Sequence, residues 1–417
     1  MTLLVISPDF ISHYSPLAVV ARAVKKAGQR VVIATGVNMA PYAEAEGFEW
    51  QMLQLSQSAN SGIAVPNPAI LRFLNATREG PIATIRCQAL DREKDLLWHP
   101  VEVAKQIAQL CEEINPKDIL VDHVSFNSTL GVYATGRPFT TLVPGHPSQL
   151  PVGNERYGIP AAWPACMQPE PNELAQQEQI TDRVTTTFTD RWNAALSIIA
   201  PTMEPVKDAF RVHGDQVLFN SPKLYHAMNR LQHLPVHHQF IGPLIRDDVL
   251  EVSHRQWLDD ADGRPIVYVA LGTFLSHRAD VLSKISTALQ RANARVAMAI
   301  GTTPMSTFEP LPHGWLVAPS LPQVGLLRAC DIIIHHGGNN SVQEALGLGV
   351  RQIILPFSTD QFANACDLER TGQAQVISPN HICPQTLAEL IHTTMALPKP
   401  KKLLPDFPVV FASALTD

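Results

Sequence analysis

The stretch from Asp331 to Asn364, DIIIHHGGNNSVQEALGLGVRQIILPFSTDQFAN, decides how this chain folds. It reads as a buried strand, a glycine-rich turn and a helix, followed by a second strand and a polar turn. Ile332, Ile333 and Ile334 are a short β-branched run of the kind found in parallel strands covered on both faces. Gly337 and Gly338 let the backbone turn sharply and approach a ligand closely. Asn339, Asn340 and Ser341 then open a helix containing Val342, Ala345 and Leu346. A helix N-terminus presents unpaired N–H groups and a partial positive charge, so it is a ready site for phosphate. Asp360 and Gln361 fall where the next strand ends, the ligand-facing edge of an open α/β sheet.

The other end of the chain has the same grammar. In Leu3 to Thr35, LLVISPDFISHYSPLAVVARAVKKAGQRVVIAT, an apolar strand meets a polar loop and Pro16 is expected to open a helix. Leu17, Val20, Ala21 and Val24 recur at helical spacing. Gly28 ends that helix, and Val31 to Ile33 form the next strand.

Between these ends lies material for two domains, the natural expectation at 417 residues. Strand and helix patterns alternate, which argues for an α/β protein. Gln51 to Asp95 is less regular, a helix is expected from about Val101 to Ile114, and a strand at Asp118 to Val121 leads into Asp122. Pro144 to Pro171, rich in Pro, Gly and aromatics, is too irregular for core elements and too aromatic for a disordered linker. It reads as a folded loop region over a cleft. Leu234 to Arg246 is loop-like, with Gly242-Pro243 as a hinge, and a second α/β unit starts with the strand Ile266 to Leu271. The expected division is 1–242, 243–396, and a proline-broken tail, 397–417, that could pack back on the first domain.

Composition excludes several function classes. The hydrophobic share of 45% and charged share of 17% suit an ordinary globular enzyme. Net charge is −6 with no basic stripe, which argues against nucleic acid as a partner. Six scattered cysteines without a CxxC pair read as reduced thiols of a cytoplasmic protein, not as a disulfide framework or zinc site. No apolar run approaches the roughly 20 residues of a membrane helix, and the N-terminus lacks a basic leader.

His336, Gly337, Gly338, Asn339, Asn340, Ser341, Glu344, Asp360, Gln361 and Asn364 together resemble the nucleotide-sugar signature of the UDP-glycosyltransferase superfamily (glycosyltransferase family 1), in its bacterial natural-product form. Ser12, His13, Tyr14, Ser15 and Pro16 resemble the family's GHxxP loop, with Ser12 in place of its glycine. The resemblance implies the GT-B fold, two Rossmann-like doubly wound domains facing each other across a cleft. It implies an inverting transfer of a hexose from a UDP- or dTDP-sugar to a hydroxyl of a small lipophilic acceptor. His13 would be the general base, since histidine titrates near neutral pH, and Asp122 would orient it. His336, Gly338, Asn340, Ser341 and the Gly272-Thr273 turn would surround the donor diphosphate, where stabilising developing charge matters most. Glu344 would hold the ribose, and Asp360 and Gln361 the sugar hydroxyls. Gln323 follows Pro322 as in the family's PQ pair, but Ser320 stands where relatives often place an aromatic that stacks on the base. No metal and no cofactor is expected. Asp247-Asp248 and Asp259-Asp260 read as solvated surface, and His335 as packed inward.

Structural alternatives stand beside these roles. His13 could be a loop histidine bonded to water. Asp122 could cap a helix beginning at Ser125, Ser341 and Glu344 could form a capping box, and Asp360 could cap the helix Phe362 to Arg370. Gly272-Thr273 could be a plain strand-to-helix turn. A GT-B nucleotide-sugar epimerase and a non-catalytic transferase-like partner protein are the competing functions.

Overall fold

In the computed structural model, the described residues are 1–56, 67–95, 97–223 and 228–416. Part of the irregular stretch 51–95, namely 57–66, therefore lies outside them. Seven parallel strands form the first sheet: β1 Thr2–Ile6, β2 Arg30–Thr35, β3 Glu49–Met52, β4 Asp118–Asp122, β5 Thr140–Val143, β6 Gln216–Phe219 and β7 His238–Phe240. Their order is β3-β2-β1-β4-β5-β6-β7. Six more parallel strands form the second: β8 Ile266–Ala270, β9 Arg295–Ala299, β10 Leu316–Ala318, β11 Ile332–His335, β12 Arg351–Ile354 and β13 Ala374–Val376, in the order β10-β9-β8-β11-β12-β13. Strands such as β1, β8 and β11 are buried along almost their whole length, because helices cover both faces of each sheet.

In each sheet the strand order reverses once. The reversal falls between β1 and β4 in the first and between β8 and β11 in the second. Crevices at such switch points, beyond the carboxyl ends of the strands, are where open α/β sheets bind ligands. His13 follows β1 and Asp122 ends β4; Gly272 follows β8 and His336 follows β11. Topology thus brings four sequence candidates to two facing crevices.

Several sequence expectations are corrected. The first helix spans Ile11–Lys26, so Pro16 lies inside it and His13 belongs to its first turn. Proline there removes one helical bond, the one to the Ser12 carbonyl, while the hydroxyl of Ser15 donates to the adjacent Ile11 carbonyl at 2.7 Å. Ser12 is helical and absent from the residues with positive φ, so the missing glycine imposes no backbone strain. The irregular stretch 51–95 contains two helices, Pro68–Glu79 and Pro81–Asp95. Each starts on a proline, and the Asn67 side chain caps the first by accepting from Ala69 N and Ile70 N, both at 3.0 Å. A 29-residue helix, Pro171–Ile199, follows the aromatic loop. The loop-like stretch 234–246 hides the edge strand β7.

The two halves are held together by specific contacts. Asn339 donates to the carbonyls of Pro144 and Asn220, at 2.7 and 2.9 Å. Trp163 of the aromatic loop packs on Phe362 with ring centroids 5.0 Å apart. Arg278, 2% exposed, reaches Thr77 Oγ1 at 3.0 Å while bonding Asp280 and Asn380. The tail crosses back as an extended segment: Asp406 N donates to the Ile241 carbonyl, and Val409 and Phe411 lie against the core beside β1. Only its last turn, Ser413–Thr416, is helical. Among the described residues no helix is long and apolar enough to cross a membrane.

Candidate active site

Pairing of β1 with β4 sets Ile6 opposite Val121, so the loops that follow the two strands are neighbours. The His13 ring consequently meets Asp122, with Nδ1 2.9 Å from Oδ2. Asp122 is fully buried, and its other oxygen accepts from Val124 N at 2.9 Å. Asp122 therefore holds an imidazole, while Ser125 occupies the cap position of the helix Phe126–Ala134. With Nδ1–H donating to the carboxylate, Nε2 carries the free lone pair. The His13 side chain stays 26% exposed on the cleft side. Burial lowers its pKa, but Asp122, through charge and hydrogen bond, and Asp360 outweigh that and raise it above the ordinary value.

Across the cleft, β11 pairs with β8 so that His335 lies opposite Ala270. This register sets the Gly272 turn against the imidazole of His336. A Cβ on Gly272 would lie 2.8 Å from His336 Cε1, and one on Gly338 would lie 2.3 Å from Nε2. Both glycines are needed to seat the ring. Burial pushes the His336 pKa down to about 4, which favours the neutral ring at pH 7. His335 packs inward as expected, its Nε2 3.1 Å from Gln352 Oε1, and burial pushes its pKa down to about 3.

The helix Asn339–Leu348 starts at Gly338 without a side-chain cap. Ser341 and Glu344 do not form a capping box. Gln323 donates to both Ser341 Oγ, at 3.1 Å, and Glu344 Oε2. Arg246 Nε lies 3.3 Å from the other Glu344 oxygen and 3.5 Å from Asp248. Burial raises the Glu344 pKa, against the opposing pull of Arg246 and Gln323. Asp248 is correspondingly not solvated surface: it also accepts from Val324 N at 2.8 Å. Asp247, 86% exposed, is.

Ser358, not Asp360, caps the helix Thr359–Arg370, with Gln361 completing the box. Gln361 Oε1 accepts from Phe357 N and Ser358 N at 3.0 and 3.2 Å, so this oxygen is spent on the backbone. Asp360 is left facing the cavity, its pKa raised by burial against the pull of its neighbours, His146 first among them. Asn364 ties this helix to the glycine turn by donating to the Gly337 carbonyl at 3.0 Å.

One cavity between the two halves is lined by His13, Gly272, Thr273, Gln323, His336, Gly338, Asn340, Ser341, Glu344, Asp360 and Gln361. Asp122 stands behind His13, outside the lining. Ser12 joins the wall beside His13, and so do Phe73, Gln88, Arg246 and Phe274, which were missed by sequence reasoning. Arg246 closed a stretch read only as loop-like; its place in the wall follows from its position between two carboxylates at one-third exposure. Two further spaces adjoin. One is mostly apolar, beside His13, with Phe10, Leu55, Ile70, Phe73, Phe126 and Phe274 in its wall. The other runs from Arg246 and Gln323 to Ser320, between Tyr14 and Arg22 on one side and Tyr268 on the other. Among the described residues no group of three His, Cys, Asp or Glu side chains is arranged to hold a metal ion.

Residues 283–399 match the family model for the erythromycin biosynthesis protein CIII-like C-terminal domain. An uncharacterized UDP-glucosyltransferase, YdhE, of Bacillus subtilis is 29% identical over 155 residues, 36% of this chain and 38% of that protein. Matches to four such Bacillus relatives span between 38% and 46% of their length. Demethyllactenocin mycarosyltransferase of Streptomyces fradiae is 23% identical over 378 residues, covering 90% of this chain and 75% of that protein. The crystal structure of glycosyltransferase VinC in complex with dTDP superposes with a TM-score of 0.65 at 17% identity, covering 95% of this chain and 91% of that one. Two switch-point crevices and these likenesses give the chain the GT-B fold, and residues 283–399 are similar to the EryCIII-like C-terminal domain.

Proposed function

We propose that the protein is an inverting glycosyltransferase that moves a hexose from a UDP- or dTDP-sugar to a hydroxyl of a small lipophilic acceptor. The observation that carries this reading is the His13–Asp122 pair, 2.9 Å apart, on a cavity whose opposite wall is the start of the helix Asn339–Leu348. The acceptor hydroxyl sits in the apolar space beside His13 and loses its proton to Nε2 as its oxygen attacks the anomeric carbon. The bond from that carbon to the diphosphate breaks, and the nucleoside diphosphate leaves with the electron pair. Attack opposite the leaving group inverts the anomeric centre. Asp122 stabilises the imidazolium that forms.

The leaving diphosphate meets backbone N–H groups at the helix start, the neutral His336 ring and the Gly272-Thr273 turn. Glu344 holds the ribose, and Asp360 the sugar hydroxyls. No metal has a role in this scheme.

Incubation with UDP-glucose and dTDP-glucose against a panel of phenols and macrolide aglycones, followed by mass spectrometry, tests the proposal. The expected product carries one added hexose in β-linkage and forms equally in EDTA. An α-linked product, or activity abolished by EDTA and restored by Mg²⁺, contradicts the mechanism; hexose epimerisation without transfer contradicts the function.

A further inference from the structure

Pro16 has no N–H, so the carbonyl four residues earlier, that of Ser12, is left without its helical donor. That carbonyl is not idle. The side-chain amide of Asn340, 328 residues away on the opposite wall of the cleft, donates to it at 2.9 Å. Ser12 directly precedes His13, in the turn from which the imidazole reaches Asp122. Asn340 is the second residue of the helix whose start is assigned to the donor diphosphate. We propose that Asn340 is a positioning residue rather than a donor ligand: through the Ser12 carbonyl that Pro16 frees, it ties the placement of His13 to the donor-side helix. The reading rests on the glycosyltransferase proposal for its kinetic part, while the contact itself is independent of it.

The argument is one of accounting for hydrogen bonds. A helix closes its own carbonyls with N–H groups from the next turn, and a second chain segment finds none to bond. Proline at the sixth helical position opens one such carbonyl, on the face of the helix turned to the other half of the protein. Asn340 supplies a donor there with its side chain, leaving its backbone N–H for a diphosphate. Its neighbour Asn339 also bridges the halves, to Pro144 and Asn220. The two successive asparagines therefore tie the helix start to the first half at two places, one after β5 and β6 and the other beside His13. The Asn340 contact lies at the exposed rim of the cleft, so its effect is that of one ordinary hydrogen bond.

The test is a double-mutant cycle over Asn340→Ala and Pro16→Ala. Asn340→Ala is expected to lower kcat by roughly three- to tenfold, the worth of one hydrogen bond, with donor KM changed less than about twofold. Asn340→Asp, which turns the donor into an acceptor facing a carbonyl, is expected to lower kcat at least as much. In Pro16→Ala the residue-16 N–H can take the Ser12 carbonyl, so the loss caused by Asn340→Ala should shrink several-fold. A loss confined to donor KM, or an equal loss in both backgrounds, overturns the proposal. Melting temperatures of the same four proteins read the contact without turnover: non-additivity supports it and additivity overturns it. Absence of transfer by the wild-type protein would instead sink the glycosyltransferase reading, leaving the melting cycle to decide the contact.

Discussion

Nδ1 of His13 lies 2.9 Å from Oδ2 of Asp122, across 109 residues of chain. The distance is a product of strand order. β1 and β4 are neighbours although two strands and five helices separate them in sequence, and each delivers one member of the pair to its carboxyl end.

His13→Ala should reduce turnover by roughly 10²–10⁴-fold, the usual worth of a general base. Nucleotide affinity, measured by calorimetry with UDP and dTDP, should stay within about twofold, because the donor-side groups are all on the other sheet. Asp122→Asn should lose less, since it orients the base without taking the proton. Unchanged turnover in His13→Ala removes that residue from the mechanism.

The rate should climb with pH as His13 loses its proton. Its pKa is raised, burial being outweighed by Asp122 and Asp360, so the rising limb belongs above pH 6.5 rather than below it. Asp122→Asn removes the larger of these two charges and should move the limb to lower pH. The linkage has a definite sign. A histidine with a raised folded pKa adds stability that is complete below its unfolded pKa and lost as pH rises through the folded value. Melting temperatures of wild type and His13→Gln should therefore converge as the pH rises, and a gap that widens contradicts the shift.

Glu344 separates a binding role from a structural one. Glu344→Gln keeps the shape and a partner for Gln323 but removes the charge facing Arg246. UDP affinity should drop at least tenfold through the ribose hydroxyls. Stability should fall by about 1–2 kcal/mol, less than for a fully buried ion pair, because Arg246 is one third exposed. A fall in melting temperature with undiminished UDP affinity would leave Glu344 a structural partner of Arg246 alone.

Ser320 offers a gain-of-function test. It lines the space that continues from Gln323 and Arg246, at the position where relatives often carry an aromatic. Ser320→Trp should add a stacking surface for the base and tighten UDP and dTDP binding by about 1 kcal/mol, roughly fivefold. Equal binding in mutant and wild type would mean that the base is held elsewhere.

The sequence by itself determined the alternation of strands and helices and the identity of eleven cavity-lining residues. Such signals are local: a β-branched run, two glycines and a helix start within one stretch of chain. Hence His336, Glu344 and Asp360 were legible beside the turns that carry them. Reading failed where proline sent two messages. Pro16 looked like a helix start but is the sixth residue of one, and the prolines at 68 and 81 concealed two helices in a stretch read as irregular. Only the tertiary structure decided which partner each polar group takes. Glu344 turned to Gln323 and Arg246 instead of capping its own helix, Asp248 left the surface, and the Ser12 carbonyl found Asn340. The physical reason is that a hydrogen bond is chosen by the nearest competent donor in space. That donor is set by which strands are neighbours and how the two sheets face each other, and neither is written in the spacing of residues along the chain.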